Sequence, residues 1–209
     1  MGIEIGWVDH RVAAEFPELT LRYTSFDGAV EPTPADLWNQ VLDLSTRFRG
    51  GPAMALPSKP APSAYRAFFR QVGLDPDVVR NPVEAIAYDR IMRGTFPRVH
   101  CVADALTVAI VETHIALSVM DADSIAEPLG IRLDDEGNLV LADADRTIGP
   151  LFSPLPGDVA PGLHTSRLLV TAIGVAGIPR WLVDYGLWRV ADLLGVVVDS
   201  EQESFRGES

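Results

Sequence analysis

The side chains best suited to chemistry crowd into one stretch, FPRVHCVADALTVAIVETHIALSVMDADSI, from Phe96 to Ile125. His100, Cys101, Asp104, Thr107, His114 and Ser118 punctuate an otherwise apolar run there. Val102 to Leu117 is so uniformly apolar that it predicts a buried helix rather than an amphipathic surface one. At the helical period, Asp104, Thr107 and His114 fall within an arc of about 80°, and His100 joins them if the helix begins early. Polar groups on a buried helix need partners. A neighbouring loop, ordered water or a bound ligand would each supply them. Nucleophilic chemistry by a Cys101–His114 pair would require the two to converge. On one continuous helix they lie about 140° apart, so Cys101 reads as packing. His10, His100, Cys101, His114 and His164 lack the paired spacings of zinc sites, and no phosphate-binding or dinucleotide glycine fingerprint is present. No metal or other cofactor is expected.

The elements that must position these groups are legible in order. At 209 residues and 47% hydrophobic content, the chain can bury a single core, expected over residues 1–198. The polar, acidic tail 199–209 predicts disorder. A short strand is expected within Ile3 to Val8, and the alternation of Leu19 to Thr24 predicts a half-buried one. Thr33 reads as a helix cap with Pro34 at the first position. The six Gly and Pro residues of Gly50 to Pro62 predict a loop without regular structure. Ser63 and the Asn81–Pro82 pair each read as the start of a further helix, the second closed by Gly94. Strands are expected at Gly130 to Leu133, Asn138 to Leu141, Thr147 to Phe152 and Arg167 to Val175. A proline-rich loop covers Ser153 to Leu163, and Pro179 opens a last helix that ends at Gly195. The sum is an α+β fold, with helices packed on a largely antiparallel β system.

Charge and cysteine content bound the setting. The single cysteine excludes an internal disulfide and fits a reducing, cytoplasmic compartment. No membrane span and no secretory signal are expected. Net charge is −12, which by itself disfavours nucleic acid. Yet the segment from Arg47 to Arg98 holds nine basic side chains against four acidic ones. Helical spacing turns Arg66 and Arg70 outward, and leaves Arg90 and Arg93 free to face outward, which would form an anion-facing surface or a solvated one.

The run from Val102 to Ile125 resembles the VVDVTNYVxLELGQPxHAFDxDxI signature of the B3/B4 editing domain in the bacterial phenylalanyl-tRNA synthetase β subunit. Val102, Asp104, Glu112, Asp121, Asp123 and Ile125 coincide with it without a gap. The upstream piece, DPDVVRNPVEAIAYDRIMRGTFPRVHCVAD, is similar to the corresponding part of free-standing B3/B4 proteins. The resemblance implies a B3/B4-like fold and a pocket that binds the 3′ end of an aminoacyl-tRNA. In the synthetase that pocket hydrolyses the ester of tRNA misacylated with tyrosine. Carried over by position, the pocket would contain Asp104, Leu106, Thr107, Ser118 and Thr171. Arg66, Arg70, Arg90 and Arg93 would face the RNA. Ser118 stands where the family has histidine, and Thr171 where it has glutamate. Serine is no general base near neutral pH, so the candidates for catalysis are Ser118, His100 and His114, with His164 as a further base. Two functions follow as expectations: a stand-alone domain that binds tRNA and clears mischarged aminoacyl-tRNA in trans, or a non-catalytic module that uses the amino-acid-sized pocket for a small molecule or a protein partner.

Overall fold

A computed structural model describes residues 2–196; the expected disordered tail lies outside the described residues. Within them the chain forms seven α-helices and eight strands in two four-stranded sheets, an α+β architecture. The first sheet joins β1 (Glu4–Ile5), β3 (Thr20–Asp27), β8 (Arg167–Gly174) and β4 (Ala116–Asp121) in the order β1-β3-β8-β4, antiparallel throughout. The second joins β2 (Trp7–Val8), β5 (Gly130–Leu133), β6 (Leu139–Ala142) and β7 (Thr147–Pro150), with only the β2–β5 pair parallel. Gly6 carries the chain from one sheet to the other. A Cβ there would meet Leu21 Cδ2 at 2.7 Å and the Leu129 carbonyl oxygen at 2.9 Å, so only glycine fits the crossing.

Strand β8 is central to the first sheet, and Leu168, Leu169, Val170 and Ala172 are wholly buried. Burial on both faces explains why this strand is a continuous apolar run rather than an alternating one. The face that carries Arg22 and Leu117 packs against α7 (Arg180–Leu193), where Asp184 pairs with Arg22 and Gly186 closes on Leu117. Alternation sends Tyr23, Ser118, Thr171 and Ile173 to the opposite face.

Several local expectations need correction. The helix predicted to run to Leu117 is α6 (Cys101–Thr113); it stops at His114, which adopts the left-handed conformation at φ 59°, and Ala116 and Leu117 already belong to β4. An apolar run buried throughout does not distinguish helix from strand, so periodicity could not find this boundary. The segment expected to be an irregular loop instead contains α3 (Gly51–Met54) and a 3₁₀ turn at Leu56–Ser58. The next helix, α4 (Pro60–Gln71), starts three residues before Ser63, because Pro60 and Pro62 sit in the first turn, where a missing N–H costs nothing. Thr33 does not cap α2 (Ala35–Arg47); its hydroxyl donates to Asp104 Oδ2 at 2.5 Å. By contrast, Asn81 accepts from the Glu84 amide at 3.0 Å and starts α5 (Pro82–Arg93), which left-handed Gly94 ends.

Candidate functional site

A cavity of about 470 Å³ lies where the first sheet, the second sheet and helices α5 and α6 meet. Ala116, Ser118, Thr171 and Ile173 line it from one face of the first sheet, and Leu117 and Val119 carry it round the free edge of β4. Ile86, Leu106 and Ile110 close one side; Ile148, Leu151, Phe152 and Leu155 close the other. The walls are therefore apolar and well suited to a small hydrophobic group.

Polar groups enter at three places. Ser118 and Thr171 face each other across the β4–β8 ladder, with their hydroxyl oxygens 2.6 Å apart. One hydroxyl donates to the other, which leaves the pair one proton and free lone pairs for a ligand. The second source is backbone. The Asp121 amide turns to the free side of β4 and donates to the Val159 carbonyl at 2.9 Å. The two-residue alternation of an antiparallel strand turns the Leu117 and Val119 amides to that same side. Third, Arg80 is the one ionisable side chain in the lining among the described residues. It is exposed, and its guanidinium sits 4.0 Å from the centre of the Tyr88 ring, which orients it.

Asp121 builds one wall. Its carboxylate accepts from the Thr165 hydroxyl at 2.7 Å, and its amide holds Val159, so the proline-rich loop is pinned at both positions. Pro154, Leu155, Pro156 and Ala160 of that loop then face the cavity. Asp158 takes no part: it is exposed and paired with Arg146 at 2.6 Å.

The structure thus gathers Leu106, Ser118 and Thr171 at one cavity and leaves Asp104 and Thr107 out of it. Asp104 is buried and structural, accepting from the Thr33 hydroxyl and, at 3.2 Å, from the Val99 amide. The Thr107 hydroxyl donates to the Ala103 carbonyl at 2.9 Å, a bond to the preceding turn that satisfies it within the helix. The polar stripe on α6 is therefore met by a neighbouring loop and by the helix itself. His100 is the cap of α6: its Nδ1 accepts from the Ala103 amide at 3.2 Å. Neither His100 nor His114 lines the cavity, and His164 is exposed on a loop outside it. Cys101 is buried, receives the Glu31 amide at 3.3 Å and packs as an ordinary core thiol. Among the described residues no group of three or more His, Cys, Asp and Glu side chains could hold a metal ion.

Two of the four arginines expected to face RNA are covered in the fold. Arg66 is mostly covered and binds Asp77 and Glu84, the latter at 3.2 Å. Arg90 is buried; it donates to the Ser45 carbonyl at 2.5 Å and lies 5.8 Å from the centre of the Phe96 ring. The 75–77 segment covers Arg66, whose guanidinium donates to the Pro76 carbonyl at 3.3 Å, and Arg90 lies under the end of α2 at Ser45. Arg70 and Arg93 are exposed. Arg80, Phe152 and the β7 wall were not anticipated from sequence. The available signal was the pair of features flanking them: the Asn81–Pro82 helix start beside Arg80, and the run of prolines after Phe152.

No family model matches this chain, and no curated protein matches it. No helix among the described residues is long and apolar enough to cross a membrane.

His114 offers a test of the α6–β4 joint. Burial, and secondarily the charge of Lys59, hold its imidazole below the ordinary histidine range. A depressed histidine favours the folded state above the unfolded pKa near 6.5, and that contribution is lost as pH falls through the folded value. His114→Gly removes both the titration and the left-handed strain. It should raise stability by about 0.5–1 kcal/mol at pH 5 and by less at pH 8. Equal effects at the two pH values in urea unfolding would refute the assignment.

Proposed function

We infer that this chain is a B3/B4-type binding domain whose cavity receives an amino-acid-sized group presented on the 3′ end of a tRNA. One observation carries the reading. Leu106, Ser118 and Thr171, which the resemblance assigns to a pocket, come from one helix and two strands and converge on a single void. Its size suits an amino-acid side chain, its apolar walls suit a hydrophobic one, and the β4 edge and hydroxyl pair suit the amino and carbonyl groups. Arg80 stands at the lining as a cation for a terminal phosphate.

The primary event is capture rather than hydrolysis. Ester cleavage needs a positioned water and a base, and the polar side chains of the lining are hydroxyls and a guanidinium that stays protonated. The decisive comparison is binding of charged against uncharged tRNA across several amino acids. Burying an apolar side chain should favour the best charged species by about 10–100-fold. Ser118→Ala should cut that preference about fivefold. Arg80→Ala should weaken both species and reduce the log–log salt slope by about 0.7–0.9. Deacylation should stay at the spontaneous rate, and Ser118→His should raise it if an imidazole is what the site lacks. Equal affinity for charged and uncharged tRNA would sink the reading.

A second reading keeps the cavity for a free small molecule or a protein partner. Two observations favour it: the pairing of Arg66 with Asp77 and Glu84 and the burial of Arg90, in a chain of net charge −12, and the exposed aromatic row Trp181, Tyr185 and Trp188 on α7. Tight binding of a free amino acid, with tRNA adding nothing, would select it.

A further inference from the structure

A second cavity, of about 530 Å³, lies beyond the first, between α4 and the second sheet. Phe16, Phe68, Phe69, Val72 and Leu139 give it apolar walls, and Glu15, Gln71 and Asn138 give it a polar margin. The two cavities share Pro150, Leu151, Phe152 and Ser153, so this short segment is the partition between them. Phe152 is its bulkiest member. The ring lies 5.3 Å from Phe69, 5.7 Å from Tyr65 and 5.9 Å from Phe68, centre to centre, and is clasped from the α4 side.

The backbone at Phe152 is as informative as the ring. Its φ is 66°, in the left-handed region that bulky residues rarely occupy. Glycine would be at ease there, and phenylalanine is held at a cost. A strained aromatic residue standing between two apolar cavities is best understood by what it blocks.

We propose that Phe152 is the length-selecting wall of the ligand site: it closes the first cavity to chains that would otherwise run on into the second. This rests on the cavity being a ligand site, as inferred above. The ligands it sorts are linear, largely apolar molecules with one anionic or polar head, the head at Arg80 or the Ser118–Thr171 pair and the tail pointed at the Phe152 ring. Residue 152 therefore sets the upper size limit, while Ser118 and Thr171 serve the head.

The test uses straight-chain alkanoates, from butanoate to tetradecanoate, titrated calorimetrically into the full chain. In the wild-type protein affinity should rise about fourfold per methylene and then stop rising where the tail meets the ring. In Phe152→Gly, which also relieves the left-handed strain, the rise should continue for several further methylenes, so that the longest chains bind more than tenfold tighter than to wild type. Phe152→Trp keeps an aromatic ring against α4 and should move the break to a shorter chain, which preserves the test should Phe152→Gly fail to fold. The same break in all three proteins, or no alkanoate binding to any of them, overturns the proposal. These probes need no tRNA. A break that tracks residue 152 without any binding of charged tRNA leaves the length filter standing and removes the aminoacyl reading; preferential binding of charged tRNA with identical breaks does the reverse.

Discussion

Replacing Tyr65 with phenylalanine should lower the unfolding free energy by about 2–4 kcal/mol, although the change deletes a single oxygen. The Tyr65 side chain is wholly buried. Its hydroxyl donates to the Ile173 carbonyl at 2.6 Å and accepts from the Ala116 amide at 3.0 Å, so it bridges β8 and β4 where their ladder ends. Phenylalanine would leave a buried donor and a buried acceptor without partners, each costing about 1–3 kcal/mol. Both strands line the cavity at those residues, so ligand affinity should fall with stability. Alkaline behaviour gives an independent check. Burial pushes the Tyr65 phenol well above its ordinary value. A group whose pKa is raised on folding supports the folded state below its unfolded pKa, near 10, and loses that support as pH rises further. The variant should therefore be less sensitive to pH above about 10 than the wild type. Part of the alkaline loss should persist, because burial and Glu4 also raise Tyr23, to about 12. A stability change under about 0.5 kcal/mol in urea unfolding, with an unchanged slope, would refute the bridging role.

How much of this was legible in the sequence follows from how local each signal is. A helix start is legible where a side chain caps its own helix, as Asn81 does, because the donor and acceptor lie three residues apart. Thr33 is not readable in this way, because its hydroxyl goes to Asp104, seventy-one residues away. Hairpin β5–β6 was readable from the Asp134–Gly137 turn, since Asp134 accepts from the amides of Glu136 and Asn138 within the turn itself. Arginine direction failed for a non-local reason. Helical spacing says which residues share a face, but which positions along it another segment will cover is settled by tertiary packing, and Arg66 and Arg90 lie at covered positions. The candidate site divides along the same line. Ser118 and Thr171 are partners across β4 and β8, fifty-three residues apart, and only a resemblance to a known pocket could place them together beforehand. Phe152 has only the prolines after it as a sequence mark, and its left-handed backbone has none, because a left-handed phenylalanine looks like any other until its φ is seen.

Charge reversal separates the basic residues into two classes with very different costs. Arg90→Glu should destabilise the protein by about 3–5 kcal/mol, because the arginine is buried and its replacement would set a carboxylate against the Ser45 carbonyl. Arg93→Glu, three residues on and exposed, should stay within about 0.5 kcal/mol. Arg90→Met should lose far less than Arg90→Glu, since an apolar side chain of similar length can follow the same path beside Phe96. Arg66 adds a pH signature. Burial raises the Glu84 carboxyl, and the Arg66 guanidinium opposes that rise. In Arg66→Ala the opposition is gone, so Glu84 should titrate higher still. A carboxyl raised on folding weighs against the folded state once pH exceeds its unfolded pKa, near 4.3. The loss in Arg66→Ala, about 1–3 kcal/mol at pH 7, should therefore shrink as pH is lowered toward 5. Binding experiments must respect this division. Weakened tRNA binding in Arg66 or Arg90 variants would report a damaged fold, whereas the same result in Arg70→Glu or Arg93→Glu, with stability intact, would report a lost phosphate contact. Stable Arg90→Glu protein that binds tRNA poorly would reverse the assignment and return Arg90 to the surface.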